Sequence, residues 1–342
     1  MKPLPSEDLE HILKHTAPLW EEARGQHLFI SGGTGFFGAW LLESLVHCNR
    51  KLELGLSATV LSRDPAAFAK RMPHVASEPC IRLLQGDVRD FTYPKNEFKY
   101  VVHAATATSS AAAGEPLELL NSILGGMERM LALAKTHGTK KFLFTSSGAV
   151  YGKQPPHISH LPESYLGGPD WLDPNAVYAE GKRVSEQMCA LHAKESGIEF
   201  KIARCFAFVG PHLPLDQHFA IGNFIRDAMA NKKIEIKGDG TPMRSYLYAA
   251  DLAIWLWTML FSAPAMQPFN VGSGHAVSIR ELAREVVSEL NPKLEIEIAK
   301  SPVAGAQTLQ YVPDVTAAVQ VLGLRETIGL RESIRRTAAW HR

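Results

Sequence analysis

Tyr178 and Lys182 stand four residues apart in a segment with helical patterning (175–195), which puts both side chains on one helix face. A free phenol ionises near pH ~10, too high for a base at neutral pH, but a neighbouring ammonium favours the phenolate and lowers that value. The pair is therefore suited to move the proton of a hydroxyl on a carbon that gives or takes a hydride. On its own, Tyr-x-x-x-Lys is an ordinary helix-face pair in a chain with eight tyrosines. The run Thr145-Ser146-Ser147-Gly148-Ala149-Val150-Tyr151-Gly152 adds weight, because it directly follows an apolar segment (141–145) that reads as a strand. Hydroxyls at the carboxyl end of a strand can hold a reacting oxygen.

Hydride chemistry needs a carrier, and residues 27–38, HLFISGGTGFFG, read as its seat. A short apolar strand precedes Gly32, Gly33, Gly35 and Gly38, and a helix pattern starts at Phe36 and Phe37. Glycines permit a tight turn and let a diphosphate approach bare backbone, while the helix N-terminus offers free N–H groups and partial positive charge. The spacing satisfies both G-x-G-x-x-G and G-x-x-G-x-x-G, and the flanking strand and helix are the context such a motif requires. The adenosine end belongs at the tip of the second strand, where Ser62, Arg63 and Asp64 stand. A guanidinium at Arg63 suits a 2′-phosphate and leans the reading toward NADP. Asp64 could serve NAD instead, and a solvated Arg–Asp pair is the plain alternative. Glu53 fits the usual count for a ribose-binding acid but falls before the strand. Asp87, followed by Val88, comes after the third strand and can accept from an adenine amino group.

These residues need a scaffold, and the chain supplies alternating strand and helix patterns from residue 27 to 205. That alternation predicts an α/β Rossmann-type doubly wound parallel sheet with helices on both faces. Ligands in such sheets sit at the carboxyl ends of the strands, where all of the candidates above fall. Residues 1–25 read as an N-terminal helical extension (helix 6–22) and 26–205 as the NAD(P)-binding domain, joined by part of 237–262. Residues 206–236 and 263–342 read as a smaller, interleaved C-terminal substrate-binding lobe. Strands are expected at 245–248 and 294–298, and helices at 252–261, 279–290 and 325–341.

Composition limits the partners. The net charge is +1 over 342 residues, which gives no bulk attraction to nucleic acid or anionic membrane. The longest apolar segment, 252–261, is far short of the ~20 residues that span a bilayer. Cys48, Cys80, Cys189 and Cys205 form no Cys-x-x-Cys motif and read as reduced thiols of a cytoplasmic protein. His157, His160, His212 and His218 show no metal-ligand spacing, so no metal is expected.

The glycine turn, Ser-Ser-x-x-Val-Tyr-Gly and Tyr-x-x-x-Lys, in this order, resemble the extended short-chain dehydrogenase/reductase family of nucleotide-sugar epimerases and dehydratases. The resemblance spans about 26–324. It implies that Tyr178 is the acid/base, that Lys182 binds the nicotinamide ribose and tunes Tyr178, and that Ser147 bonds the sugar hydroxyl. It further implies hydride transfer at sugar C4 through NAD or NADP, and His103, Ala104 and Ala105 along the cofactor. The segment 238–246, GDGTPMRSY, resembles one whose arginine, here Arg244, clamps the substrate diphosphate, with Asn223 as a further contact. A nucleoside-diphosphate sugar substrate and a homodimer are family expectations. The chain departs from the pattern at several points. Gly148 and Ala149 replace the Asp-Glu pair with which 4,6-dehydratases eliminate water. That turns the expectation toward a 4-epimerase or 4-ketosugar reductase, with a dehydratase using Glu163, Asp170 or Asp173 as the alternative. Ala207 stands where many relatives have Asn, and Gln310 stands near a missing second arginine. A non-catalytic NAD(P)-binding regulator, which would have no need of the Ser147–Tyr178–Lys182 set, and a steroid- or flavonol-type reductase, which would have no need of Arg244, are the rivals.

Overall fold

The computed structural model describes residues 1–106, 115–217, 219–303, 305 and 307–342; His218 lies outside them. In chain order its first half comprises α1 (Ser6–Thr16), β1 (His27–Ser31), α2 (Phe36–Lys51), β2 (Ser57–Ser62), α3 (Pro65–Arg71), α4 (Pro73–Ala76), β3 (Ile81–Gln85), β4 (Tyr100–His103), α5 (Pro116–Thr136), β5 (Lys141–Ser147), α6 (Val177–Ser196) and β6 (Glu199–Cys205). There follow β7 (Phe208–Val209), α7 (Ala220–Met229), β8 (Ile234–Ile236), β9 (Met243–Arg244), β10 (Leu247–Tyr248), α8 (Ala249–Ser262), β11 (Pro268–Val271), β12 (Val277–Ser278), α9 (Ile279–Leu290), β13 (Ile296–Ile298), β14 (Gln310–Tyr311), α10 (Thr316–Leu322) and α11 (Leu330–His341).

Seven strands pair in parallel in the order β11-β6-β5-β4-β1-β2-β3, the predicted doubly wound sheet. Sheets buried on both faces use near-continuous apolar strands, and β4, Tyr-Val-Val-His, is buried at every position. Successive side chains point to opposite faces. Leu28 and Ile30 of β1 thus join the core under α1, α2 and α8, while Phe29 joins the core under α5 and α6. A third core, built on Ile221, Phe224, Ile234, Leu282, Val286 and Ile334, holds α7, α9 and α11 around the small β8–β13 pair.

Several boundaries differ from expectation for local reasons. The first helix ends at Thr16 and gives way to a 3₁₀ turn, Ala17–Ala23, in which Pro18 lacks a donor. This N-terminal segment is sunk into the core, not laid on it. Ile12 and Trp20 are fully buried, and the buried carboxylate of Asp8 accepts from Tyr248 (2.7 Å) and from Arg336. The strand expected at 245–248 is confined to β10 (Leu247–Tyr248), which pairs with β7, while β9 just before it pairs with β12 and β14. α8 is longer than 252–261, and α10 was not foreseen. Among the described residues no helix is long and apolar enough to cross a membrane, and no group of three or more His, Cys, Asp or Glu can hold a metal ion.

Candidate active site

The glycine turn sits where β1 ends against β4. Gly32 has φ 76°, and a side chain there would strike the Ala104 backbone, whose N–H donates to Ser31 O (3.0 Å). A side chain at Gly38 would strike the backbone of Gly33, so the start of α2 lies directly on the turn. Gly35 differs. It is exposed, meets only Gly32 O at 3.5 Å, and begins α2 with no side-chain cap. α2 thus starts at an exposed glycine with an uncapped N-terminus, which fits a dinucleotide diphosphate. Phe36 and Phe37 brace this opening, Phe37 edge-on against Phe208 at 5.1 Å.

At the adenosine end, Ser62 accepts the Asp64 N–H (3.2 Å), and Asp64 caps α3 by accepting from Ala67 N (2.8 Å). Arg63 is exposed. Asp87 is bound by Arg89, Nε to Oδ1 at 2.8 Å, and that bond holds its carboxyl below the usual range. Its acceptor capacity is therefore already shared. Val88 seats against Gly126 of α5. A second guanidinium, Arg71 of α3, was missed from sequence: it donates to the Thr34 carbonyl within the glycine turn, and its buried Nε has no partner. Nothing in its spacing announces this, because α3 brings it across 37 positions.

Ser147, Tyr178 and Lys182 meet beyond the end of β5. Lys182 is buried, and its Nζ donates to Thr145 O (2.8 Å) and Thr106 Oγ1 (2.5 Å). Nζ also lies 4.7 Å from the Phe144 ring centroid and 5.9 Å from that of Tyr178. Burial pulls the ammonium down to about 7, opposed by Cys205 and Glu186. Burial pushes the Tyr178 phenol up, opposed by the nearby Ser147 hydroxyl. Ser147 Oγ accepts from Ala149 N (3.2 Å). Ser146 turns away to donate to Glu186 (2.5 Å), which Arg204 also binds (2.7 Å). His103 is buried against Ser31 (2.7 Å), and burial lowers it to about 3, so it is a neutral wall beside Ala104 and Ala105.

Arg244 comes from the other side, on β9, close enough to bias the buried phenol of Tyr246, which burial raises to about 12. Its strand neighbour was also missed from sequence. Tyr311 of β14 pairs with Arg244 and lies 4.7 Å from the Phe206 ring, and burial pushes its phenol well above the usual tyrosine range. Asn223 is on α7, with its amide oxygen taken by Arg226 (3.0 Å). Among the described residues it makes no hydrogen bond to Arg244, Tyr178 or Ser147.

The candidate acids are engaged elsewhere. Glu163 is raised by burial and accepts the Asn270 N–H (2.8 Å). Asp170 and Asp173 cap turns at Leu172 N and Asn175 N on an exposed loop. A side chain at Gly148 would come within 2.7 Å of the Phe206 ring, so Phe206 would have to shift to admit one. The Ala207 carbonyl accepts from Leu247 N (3.0 Å), and Gln310 reaches Pro156 O (3.4 Å).

The fold is that of a dinucleotide-binding α/β enzyme. The NAD dependent epimerase/dehydratase family matches residues 28–272, and the chain belongs to it as an NAD-dependent enzyme. It is 30% identical over 308 residues to UDP-glucuronic acid decarboxylase 5 of Arabidopsis thaliana, covering 90% of this chain and 86% of that one. It is 28% identical to UDP-glucuronic acid decarboxylase 1 of Xenopus tropicalis, covering 93% and 72%. Among solved structures, a UDP-glucose 4-epimerase from Thermotoga maritima superposes with TM-score 0.76 at 22% identity, covering 92% of this chain and 98% of that one. A dTDP-glucose 4,6-dehydratase from Streptomyces venezuelae superposes with TM-score 0.77 at 21% identity, covering 92% and 96%.

Proposed function

We propose that this enzyme moves a hydride to and from C4 of a nucleoside-diphosphate hexose, as a 4-epimerase or a 4-ketosugar reductase. The observation that carries the reading is the Ser147–Tyr178–Lys182 cluster with Gly148 and Ala149, not a carboxylic acid, next to the catalytic hydroxyl. When bound, the nicotinamide supplies the hydride acceptor. Tyr178 takes the proton of the C4 hydroxyl as the hydride leaves, and returns it when a hydride comes back. Ser147 donates to the same oxygen and holds it through the ketone stage. Lys182 orients the cofactor ribose and, once charged, favours the Tyr178 phenolate. Arg244 takes the diphosphate, leaving the sugar free to present either face, and Asn223 assists if substrate draws its amide from Arg226. Loss of water across C5 and C6 needs a base at the C5 hydrogen and an acid at the C6 hydroxyl, and Gly148 and Ala149 provide neither.

Incubation with an NDP-4-keto-6-deoxyhexose and NADPH separates the two versions: the reductase consumes NADPH, while the epimerase interconverts C4 epimers with no net change in cofactor. Decarboxylation of a UDP-uronic acid is the second reading, favoured by the relatives' identity. It shares the C4 oxidation, after which a β-keto carboxylate loses CO2, and release of labelled CO2 from UDP-glucuronic acid would establish it. NADP is accommodated beside NAD in this reading: Arg63 is exposed at the end of β2, and Asp64 is committed to capping α3. A homodimer is supported by exposed apolar residues on adjacent helices, Leu117 on α5 and Val184 and Leu191 on α6, and sedimentation tests it.

A further inference from the structure

We infer that Glu186, held in place by Arg204, is a positioning residue that acts through Lys182: it anchors the lysine's stretch of α6 on the end of β5 and sets a negative charge one helical turn from the ammonium. The inference deepens the C4 hydride-transfer reading above and rests on it.

The geometry begins with two rungs. Lys182 and Glu186 are four apart on α6, so they stand one above the other on one helix face. Lys182 Nζ donates to the Thr145 carbonyl (2.8 Å), and one turn on, Glu186 Oε1 accepts from the Ser146 hydroxyl (2.5 Å). Two successive turns of the helix grip two successive residues of the strand, and Ser147 comes next. Tyr178 lies one turn before Lys182 on the same helix. A slip of α6 by one residue would carry Tyr178 about 1.5 Å along the axis, and a misplacement of about 1 Å can cost about 100-fold in rate.

The carboxylate is in turn held from the sheet. Ser146 pairs with Arg204 across β5 and β6, so their side chains leave the sheet on one face and meet the same carboxylate. Arg204 makes a two-pronged pair with it, Nε to Oε1 at 3.0 Å and Nη2 to Oε2 at 2.7 Å, and the two side chains are only 15% and 13% exposed. The remaining arm of the guanidinium, Nη1, donates to the Tyr151 hydroxyl (3.0 Å), which donates to Asn270 Oδ1 (2.7 Å). Asn270 Nδ2 donates onward to the carbonyls of Leu161 (2.8 Å) and Asp314 (2.9 Å). The chain of bonds therefore fixes Glu186 from β5, β6, the turn after β5 and β11.

Placement fixes charge as well as position. An opposite charge one turn away favours the ammonium, and Glu186 opposes the loss of the Lys182 proton that burial drives. The other titratable and charged groups around the pair are Tyr178 and Cys189 on α6, His103 on β4, Cys205 on β6, Tyr151 in the turn after β5 and Glu163 in the loop before α6. Burial keeps His103, both thiols and Tyr151 neutral at pH 7. Burial also raises Glu163, which accepts the Asn270 N–H (2.8 Å) and lends its carbonyl to Arg204 (3.4 Å).

The test pairs two variants in the full chain with its bound cofactor. Glu186→Gln keeps the shape and an acceptor for Ser146 but removes the charge. Glu186→Gln with Arg204→Met removes both charges, so no buried guanidinium is left unpaired. In the direction of ketone reduction, the alkaline limb of the kcat profile, set by Lys182, should move down by about one pH unit in Glu186→Gln. At pH 7 that leaves about one-fifth as much charged Lys182, so kcat falls about fivefold and recovers at lower pH, with KM within about twofold. In the double variant the limb should return part of the way, because the uncompensated cation is gone. A purely structural role would lower kcat or stability at every pH alike and leave the limb in place. A second readout needs no substrate. The Cε resonance of isotopically labelled Lys182, assigned by its absence in Lys182→Met, should titrate lower in Glu186→Gln and in between in the double variant. An unmoved Lys182 titration, or a uniform loss of kcat with the limb in place, overturns the inference. If Glu186→Gln does not fold, the double variant decides alone: a titration below the parent's supports the inference, and one equal to the parent's overturns it. If no nucleotide sugar turns over at all, the functional reading fails, while the Lys182 titration still decides the role of Glu186.

Discussion

Replacing Lys182 with methionine should abolish turnover and yet stabilise the folded protein at neutral pH. Lys182 is buried, and its ammonium falls from an ordinary value of 10.5 to about 7. The unfolded chain therefore binds a proton that the folded chain holds weakly, and the folded state is penalised wherever the lysine would otherwise be charged. Each tenfold loss of proton affinity on folding corresponds to about 1.4 kcal/mol, so the penalty approaches ~4 kcal/mol at pH 7 and shrinks to under ~1 kcal/mol at pH 10. The sign follows from the proton count: with more protons bound when unfolded, stability rises with pH between about 7 and 10.5. Methionine matches the lysine in length, carries no charge, and removes this slope. It also leaves Thr145 O and Thr106 without the donor they have now, a loss of roughly 1–3 kcal/mol. The net gain at pH 7 should be about 1–3 kcal/mol, turning into a small deficit near pH 10. Urea melts of cofactor-stripped protein and variant, compared at matched pH from 6 to ~10, measure it. A variant less stable than the parent at pH 7, or a difference that does not change with pH, would refute the reasoning.

Three further outcomes follow from the same geometry. Tyr178→Phe should preserve the melting curve and cofactor binding while turnover falls by more than about 100-fold in steady-state assay. Gly148→Asp should not create dehydratase activity, because the new side chain meets the Phe206 ring at 2.7 Å, and should cost about 1–3 kcal/mol in a urea melt. Arg244→Lys keeps a charge but loses the two-pronged grip on a diphosphate, so KM for the nucleotide sugar should rise at least about tenfold, with cofactor affinity unchanged.

Much of this is legible in the residues alone. Local rules suffice where one short stretch carries its own instruction: apolar runs for β1, β4 and β5, glycines where a backbone must approach a backbone, and a four-residue step that sets Tyr178 and Lys182 on one face. Those same rules place α9 at its observed limits, Ile279–Leu290. The two-residue strands β9, β12 and β14 were not foreseen as a sheet, because a strand that short has no periodicity; only its partners make it one.

What the chain determined alone, then, is the kind of chemistry and the frame that carries it, since residue type, spacing and alternation act over a few positions. Tertiary structure decided the surroundings of those residues: that Arg71 reaches back to Thr34, that Asp87 is taken by Arg89, that Glu163 faces Asn270 and not the catalytic hydroxyl, and that Tyr311 arrives beside Arg244. Apart from the local Asp87–Arg89 pair, each of these is a meeting of groups dozens to hundreds of positions apart. Hydrogen bonds and desolvation depend on distance in space, and only the packed fold sets that distance.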